Sequence, residues 1–247
     1  MIMPASELAR QAAAMLNRIR KEVPRVHCLM NTVVQKLVAD GLSALGAIPS
    51  MTSSTDEVQD FVRKADALCV NLGTLDAQRR EVIGLAVDTA TARAISWVLD
   101  PAHCDYSPLR AGFAQKLLEC QPTTLRANAA EYALLTPLPQ TVAVETGIVD
   151  RIGFEGRSIL VGNGDPLMAK VTGTGCLSGA VITAFLAISD DPHVATAAAM
   201  LTMGVAAERA SLQASGPGSF EPALLDALAA LDGTDIIERA KVTYDQG

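Results

Sequence analysis

Two glycines at 173 and 175 enclose a threonine and run into Cys176 just ahead of an apolar segment over 177–188. Glycine removes the side chains that keep a ligand from backbone N–H groups, and a helix start adds partial positive charge. Lys170-Val171-Thr172-Gly173-Thr174-Gly175-Cys176 therefore reads as a site for an anion, although an ordinary Gly-rich helix start has the same appearance. It is not a P-loop, because G-x-x-x-x-G-K-[ST] occurs nowhere. It is not a dinucleotide G-x-G-x-x-G either, since that fingerprint opens the first strand–helix unit and this turn lies late in the chain. A second group consists of Asn31, Asn71-Leu72-Gly73-Thr74, Asp100, Asn128 and Thr146-Gly147, each directly after a short apolar run. Singly, such residues are turn formers or caps. Five in succession point to one shared cleft.

The elements that must position them follow a strand–loop–helix rhythm. Apolar runs at 26–30, 67–72, 95–99, 123–126 and 141–144 predict buried strands. Between them, periodic segments predict helices over 6–22, from 31 to 45, through 64, and over 76–93 and 108–118. Ser6 is the expected N-cap of the first helix, and Ser54-Thr55-Asp56-Glu57 has the capping-box pattern for the third. Residues 149–153 and 158–161 predict a hairpin around Glu155-Gly156. Helices over 177–188, 194–213 and 221–231 complete the chain. Alternation of this kind predicts an α/β fold: three layers, a mostly parallel sheet, and helices on both faces. In such folds ligands gather beyond the carboxyl ends of the strands, where the polar residues fall.

Composition narrows the function. Of 247 residues, 49% are hydrophobic and 4% aromatic, ample for a helix-covered sheet in one domain spanning 1–247. A net charge of −7 argues against a nucleic-acid surface. No run has the apolar length of a membrane span, and residues 6–23 lack the apolar centre of a signal peptide, so a cytoplasmic protein is expected. Five cysteines without a C-x-x-C pair and three scattered histidines suggest neither a disulfide framework nor a zinc cluster.

Asn163-Gly164-Asp165-Pro166-Leu167-Met168 together with 170–176 resembles the signature of hydroxyethylthiazole kinases, the ribokinase-like enzymes of thiamine salvage. Val26-His27-Cys28-Leu29-Met30-Asn31, Gly46-Ala47-Ile48-Pro49-Ser50-Met51, Asn71-Leu72-Gly73-Thr74-Leu75, Leu99-Asp100-Pro101, Arg126-Ala127-Asn128-Ala129-Ala130-Glu131 and Gly216-Pro217-Gly218-Ser219-Phe220 are similar to further blocks in the same order. The resemblance implies transfer of phosphate from ATP, with Mg²⁺, to the hydroxyl of 4-methyl-5-(2-hydroxyethyl)thiazole. It implies that Gly173, Thr174, Gly175 and Cys176 form the catalytic anion hole, with Cys176 where many ribokinase-like enzymes carry an aspartate base. A thiol at a helix start can have a lowered pKa and accept the hydroxyl proton; a passive helix-start role is the alternative. The same resemblance implies Asn31, Met51 and Gly173 for the thiazole, Arg126, Asn128 and Thr146 for the nucleotide, and Glu131 and Asp100 for Mg²⁺. It also implies a homotrimer. A kinase of another small hydroxymethyl heterocycle and a non-catalytic thiazole- or nucleotide-binding homologue are the alternatives.

Three departures stand out. Ala102-His103-Cys104-Asp105-Tyr106 is bulkier than the family's glycine-containing stretch after Asp-Pro, and Arg126-Ala127-Asn128 stands for Arg-Gly-Asn. Between Leu135 and Thr141, where the family carries a Gly-rich loop and a full helix, only Thr136-Pro137-Leu138-Pro139-Gln140 remains. Loss of a crossover helix predicts a bared apolar stripe on the sheet and a very short return connection.

Overall fold

In the computed structural model, which describes residues 5–246, the predicted alternation is realised. α1 (Ala5–Glu22) leads to β1 (Arg25–Leu29), α2 (Gln35–Leu45), β2 (Ile48–Ser50), α3 (Val58–Lys64), β3 (Ala67–Asn71), α4 (Ala77–Ala92) and β4 (Ser96–Asp100). α5 (Pro108–Glu119), β5 (Thr124–Asn128) and a single turn, α6 (Ala129–Tyr132), precede β6 (Val142–Thr146). The hairpin β7 (Asp150–Phe154) and β8 (Arg157–Val161) follows. α7 (Thr174–Leu186), α8 (Pro192–Ser211), α9 (Pro217–Ala230) and α10 (Gly233–Arg239) then carry the chain to β9 (Val242–Gln246).

These strands form one sheet in the order β2-β1-β3-β4-β5-β6-β7-β8-β9. Pairing is parallel from β2 to β6 and antiparallel from β6 to β9. All the parallel strands therefore end at one edge. Period-2 alternation divides their side chains between two cores. Val26, Cys28, Cys69, Val98, Val142 and Val144 face one core with residues of α1, α2, α7, α8, α9 and α10. Leu29, Leu68, Val70, Trp97, Leu99, Leu125 and Ala127 face the other, against α3, α4 and α5. α7 is buried on every side, which suits a helix with no polar face of its own.

The structure revises several sequence-level boundaries. α1 starts at Ala5, so Ser6 lies inside it rather than capping it. The Ser54–Glu57 capping box does not form: Ser54 Oγ accepts from Asp56 N at 3.2 Å, Glu57 accepts from Thr52 Oγ1 at 2.5 Å, and α3 begins at Val58. Short-range bonds of Ser and Thr to nearby groups compete with capping. α9 begins at Pro217, four residues before the predicted start, because proline is well placed in a first turn. α10 and β9 were not expected from the sequence.

The connection after Leu135 is as short as the sequence implies, and the single turn α6, which precedes it, is the one helix between β5 and β6. Thr141 secures the return, with its N bonded to Leu138 O at 2.9 Å and its Oγ1 to Pro122 O at 2.9 Å. Among the described residues the expected apolar stripe is absent. On the face of β6–β9 turned away from α8, the register brings together Glu145, Arg151, Leu160 and Thr243 in one row. Ala143, Gly153, Ser158 and Asp245 form the next. Apart from Leu160 these side chains are small or polar, and with Arg151 paired to Asp245 at 2.8 Å they make a face that water can cover.

Candidate active site

The carboxyl ends of β1, β3, β4 and β5 and the start of α7 enclose a cleft of about 450 Å³, a size suited to a small ligand. It is lined by Asn31, Gly73, Asp100, Arg126, Asn128, Glu131, Gly173, Gly175 and Cys176 among others. Four of the five strand-end groups singled out in the sequence, those at Asn31, Asn71–Thr74, Asp100 and Asn128, thus converge with the glycine turn. A chain of hydrogen bonds joins the tips. Asn31 Nδ2 donates to Asn71 Oδ1 at 3.0 Å, and Asn71 Nδ2 donates to Asp100 Oδ2 at 2.8 Å. Asp100 Oδ1 stands 3.8 Å from Arg126 Nη1.

Gly173 occupies the position before α7 with φ +100°, and a Cβ there would lie 2.7 Å from Val34 Cγ1. Only glycine fits this approach. At Gly175 the constraint is the guanidinium of Arg126, whose Nη2 lies 2.7 Å from where a Cβ would stand. The two glycines therefore have different work: the first lets the chain turn into α7, and the second lets a cation lie against its first turn. That turn presents N–H groups without helical partners of their own. Thr174 is turned away from the cleft, its Oγ1 bonding Met168 O at 2.7 Å. Its side chain braces the turn, and only its backbone belongs to the helix start.

Cys176 Sγ accepts from Asn71 Nδ2 at 3.3 Å and Asn31 Nδ2 at 3.7 Å. The sequence suggested a lowered thiol pKa. Instead burial, and after it the negative charge of Asp100, push it up to about 12, against the smaller opposing effect of Arg126. Such a thiol is ionised in roughly one molecule in 10⁵ at pH 7. In the free site Cys176 is a neutral group, not a ready thiolate base.

Glu131 and Asp100 reach the cleft from α6 and β4. Glu131 completes a capping box with Asn128 (Glu131 N to Asn128 Oδ1 3.0 Å, Asn128 N to Glu131 Oε2 2.9 Å), and its Oε1 accepts from His103 N at 2.6 Å. Asp100 Oδ1 accepts from Ala102 N at 3.2 Å. Each of these oxygens accepts one N–H and keeps further lone-pair capacity, so the donor set fits a hard divalent cation. His103, Asp105 and Glu131 bring one ligand atom each within 4.8 Å of one another, on the same side.

Met51 and Thr146 are not among the lining residues. Met51 follows the edge strand β2 and packs, half-buried, on the core. Thr146 pairs in register with Asn128 and bonds Ala127 O through Oγ1 at 3.4 Å. Thr74, from the strand-end group after β3, and His103, from the 102–106 departure, line the cleft, and so does Arg110, which was missed. Arg110 Nη1 donates to Ala102 O, and its Nε is buried without a partner, as is that of Arg126. Two guanidiniums with unfilled donors at one cleft suit an anion. Thr74, Ala102 and His103 have φ of +50°, +34° and +60°, strain that clusters at ligand sites. The sequence signal for Ala102 and His103 lies in the Ala102–Tyr106 departure, where His103 takes a conformation favoured by glycine.

The whole chain can be set beside known proteins. The profile of the hydroxyethylthiazole kinase family matches residues 16–138 and 137–234. The chain belongs to this family. A probable hydroxyethylthiazole kinase of Agrobacterium fabrum is 54% identical over 239 residues, 97% of each chain. The hydroxyethylthiazole kinase of Serratia proteamaculans is 38% identical over 92% of this chain and 96% of its own. The solved hydroxyethylthiazole kinase protein of Pyrococcus horikoshii OT3 superposes with a TM-score of 0.92 at 33% identity, covering 96% and 99% of the two chains. A ribokinase-like superfamily protein of Enterococcus faecalis V583 shares the fold at 16% identity, with a TM-score of 0.53 over 85% of this chain and 88% of its own.

The family match is interrupted at residues 137–138, inside the shortened connection. The alignment to the Serratia protein spans 252 positions, more than the 247 residues of this chain, so that family member carries residues absent here. The Agrobacterium alignment is no longer than the residues it covers. A short connection is a variant within the family.

Proposed function

We propose that this chain transfers the γ-phosphoryl group of ATP to the hydroxyl of 4-methyl-5-(2-hydroxyethyl)thiazole, giving the thiazole phosphate for thiamine biosynthesis. Arg126 laid against Gly175 at the start of α7, with Asp100 beside it, is the observation that carries the reading. Phosphoryl transfer requires placement and charge stabilisation more than covalent help. The N–H groups of residues 173–176 and the Arg126 guanidinium stabilise charge on the transferring group. Glu131 and Asp100 hold Mg²⁺, which when bound neutralises phosphate charge. Arg126, Asn128 and Thr146 form the nucleotide side.

Asn31, Gly173 and Cys176 place the alcohol. Cys176, a neutral thiol, orients the hydroxyl by hydrogen bonding and takes no proton; a loose transition state leaves the attacking oxygen little changed, so the hydroxyl proton departs late, onto an oxygen of the transferred phosphoryl group. Residues 1–247 act as one cytoplasmic kinase domain, and three copies assemble. In that trimer Met51, outside the cleft of its own chain, packs against a thiazole at a subunit contact.

ADP release measured with and without the thiazole alcohol, with mass detection of the phosphorylated product, tests the proposal. Thiazole-dependent ADP formation is expected. No turnover at millimolar alcohol and saturating Mg-ATP sinks it, and turnover with another hydroxymethyl heterocycle alone reassigns the substrate.

A further inference from the structure

The parallel pairing of β1 with β3 stops at Leu29↔Val70, two residues short of Asn31 on one tip and one short of Asn71 on the other. β3 and β4 remain paired through Asn71↔Asp100. Where the next rung between β1 and β3 would fall, a side chain from α4 takes its place. Arg79 Nη1 donates to Met30 O at 2.9 Å, and its Nη2 donates to Asn71 O at 2.9 Å and Leu29 O at 3.4 Å. Its Nε is buried without a partner. Arg79 stands in the first turn of α4, fixed there because its own N–H is capped by Asp76 Oδ1 at 2.7 Å.

We propose that Arg79 is a positioning residue for the reaction: its guanidinium holds the splayed tips of β1 and β3 at the spacing that puts the Asn31 and Asn71 amides on Cys176. The inference rests on the kinase reading of the cleft. A planar fork is suited to bridging carbonyls on two strands, whereas a lysine ammonium at one point is not. The residues so held are the ones that touch the site. Asn71 O is bound by Arg79, while the Asn71 side chain donates to Asp100 and to the Cys176 sulfur and accepts from Gly73 N at 3.0 Å. Met30, held through its carbonyl, directly precedes Asn31. A change in tip spacing is passed to the alcohol side of the cleft, while Arg126, Asn128 and Glu131 on the nucleotide side have other supports.

The test uses the full chain with Arg79→Met and Arg79→Lys. Both are expected to lower kcat at saturating alcohol by ~10-fold or more, as displacement of a positioned group does, with KM for Mg-ATP changed less than about twofold. Millimolar guanidinium is expected to restore part of the Arg79→Met loss. Peptide-resolved alkylation gives a readout independent of turnover: the Cys176 rate falls severalfold relative to exposed Cys120 once the Asn31 and Asn71 amides, whose N–H groups favour the thiolate, shift away. Should Arg79→Met fail to fold, Arg79→Lys carries the test. Unchanged kcat in the folded variants overturns the proposal even if alkylation changes, and so does a loss confined to KM for Mg-ATP. If the wild-type chain shows no thiazole-dependent turnover, the kinase reading fails, and alkylation alone decides whether Arg79 sets the tips.

Discussion

Replacing Gly175 by alanine separates the stability of the α7 start from its chemistry. A Cβ at 175 would stand 2.7 Å from Arg126 Nη2, 3.1 Å from Nη1 and 3.2 Å from Cζ. Ordinary contact needs about 3.5 Å, so the guanidinium must retreat by about 0.8 Å. It is the far end of a flexible side chain and can move, and alanine in place of glycine favours a helix by up to about 1 kcal/mol. The melting temperature is therefore expected to stay level or rise slightly. Activity behaves differently, because a displacement near 1 Å of a group that positions the reacting phosphate costs up to ~10²-fold. Steady-state kinetics with both substrates varied should show kcat/KM for Mg-ATP down by ~10- to 100-fold in Gly175→Ala. In an Arg126→Ala background the same change should do almost nothing, since the group it displaces is gone. Wild-type kcat/KM in Gly175→Ala, or an equal fall in both backgrounds, would refute the assignment of Arg126 and Gly175 as one unit.

Because the Cys176 thiol is pushed up to about 12, Cys176→Ser should lose less than the ~10²-fold expected for a general base and keep the wild-type pH–rate profile between pH 6 and 9. A larger loss with an altered profile would restore the base role. Asp150, raised to about 6 mainly by burial, binds its proton more tightly folded than unfolded. That favours the folded state below pH 4 and is lost as pH rises through 6. Asp150→Asn, which keeps an acceptor for Gly147 N, should stabilise by at most about 3 kcal/mol at pH 7.5 and not at pH 3.5, by urea titration. His27 has the opposite sign: burial lowers it to about 4, so its contribution is full above pH 6.5 and is lost as pH falls through 4. His27→Leu should flatten that part of the stability–pH curve. Gly204→Ala brings a Cβ to 2.6 Å from Asn163 O, which is backbone and cannot retreat, and should destabilise by about 1–3 kcal/mol with a lower urea midpoint.

The layered fold was legible because apolar runs and helical periods alternate cleanly from 25 to 186, and because parallel strands must end at one edge. The strand-tip residues Asn31, Asp100 and Asn128 could be placed together on that ground alone. The roles of their side chains could not. Asn128 spends its Oδ1 on a helix cap, and Thr174 turns its hydroxyl toward Met168, because local backbone donors and acceptors compete with any ligand. The thiol was misjudged since a helix start is visible in sequence but the burial of Cys176, and the carboxylate of Asp100 beside it, are not. Arg79 and Arg110 gave no signal: an arginine in a helical pattern reads as solvated surface until its partners across the fold are known. β9 was missed because its Val242-Thr243-Tyr244 alternation is short and its partner β8 lies some 80 residues earlier.

The chain between Leu135 and Thr141 begins only after Glu131 has been locked on both carboxylate oxygens, and it ends in a strand whose register with β5 is held through Asn128↔Thr146. Length can therefore be lost or gained there without transmission to the cleft upstream. For protein engineering this makes residues 136–140 a natural port: a peptide tag or small reporter domain spliced there extends the chain over a polar sheet face and away from the phosphate-binding edge.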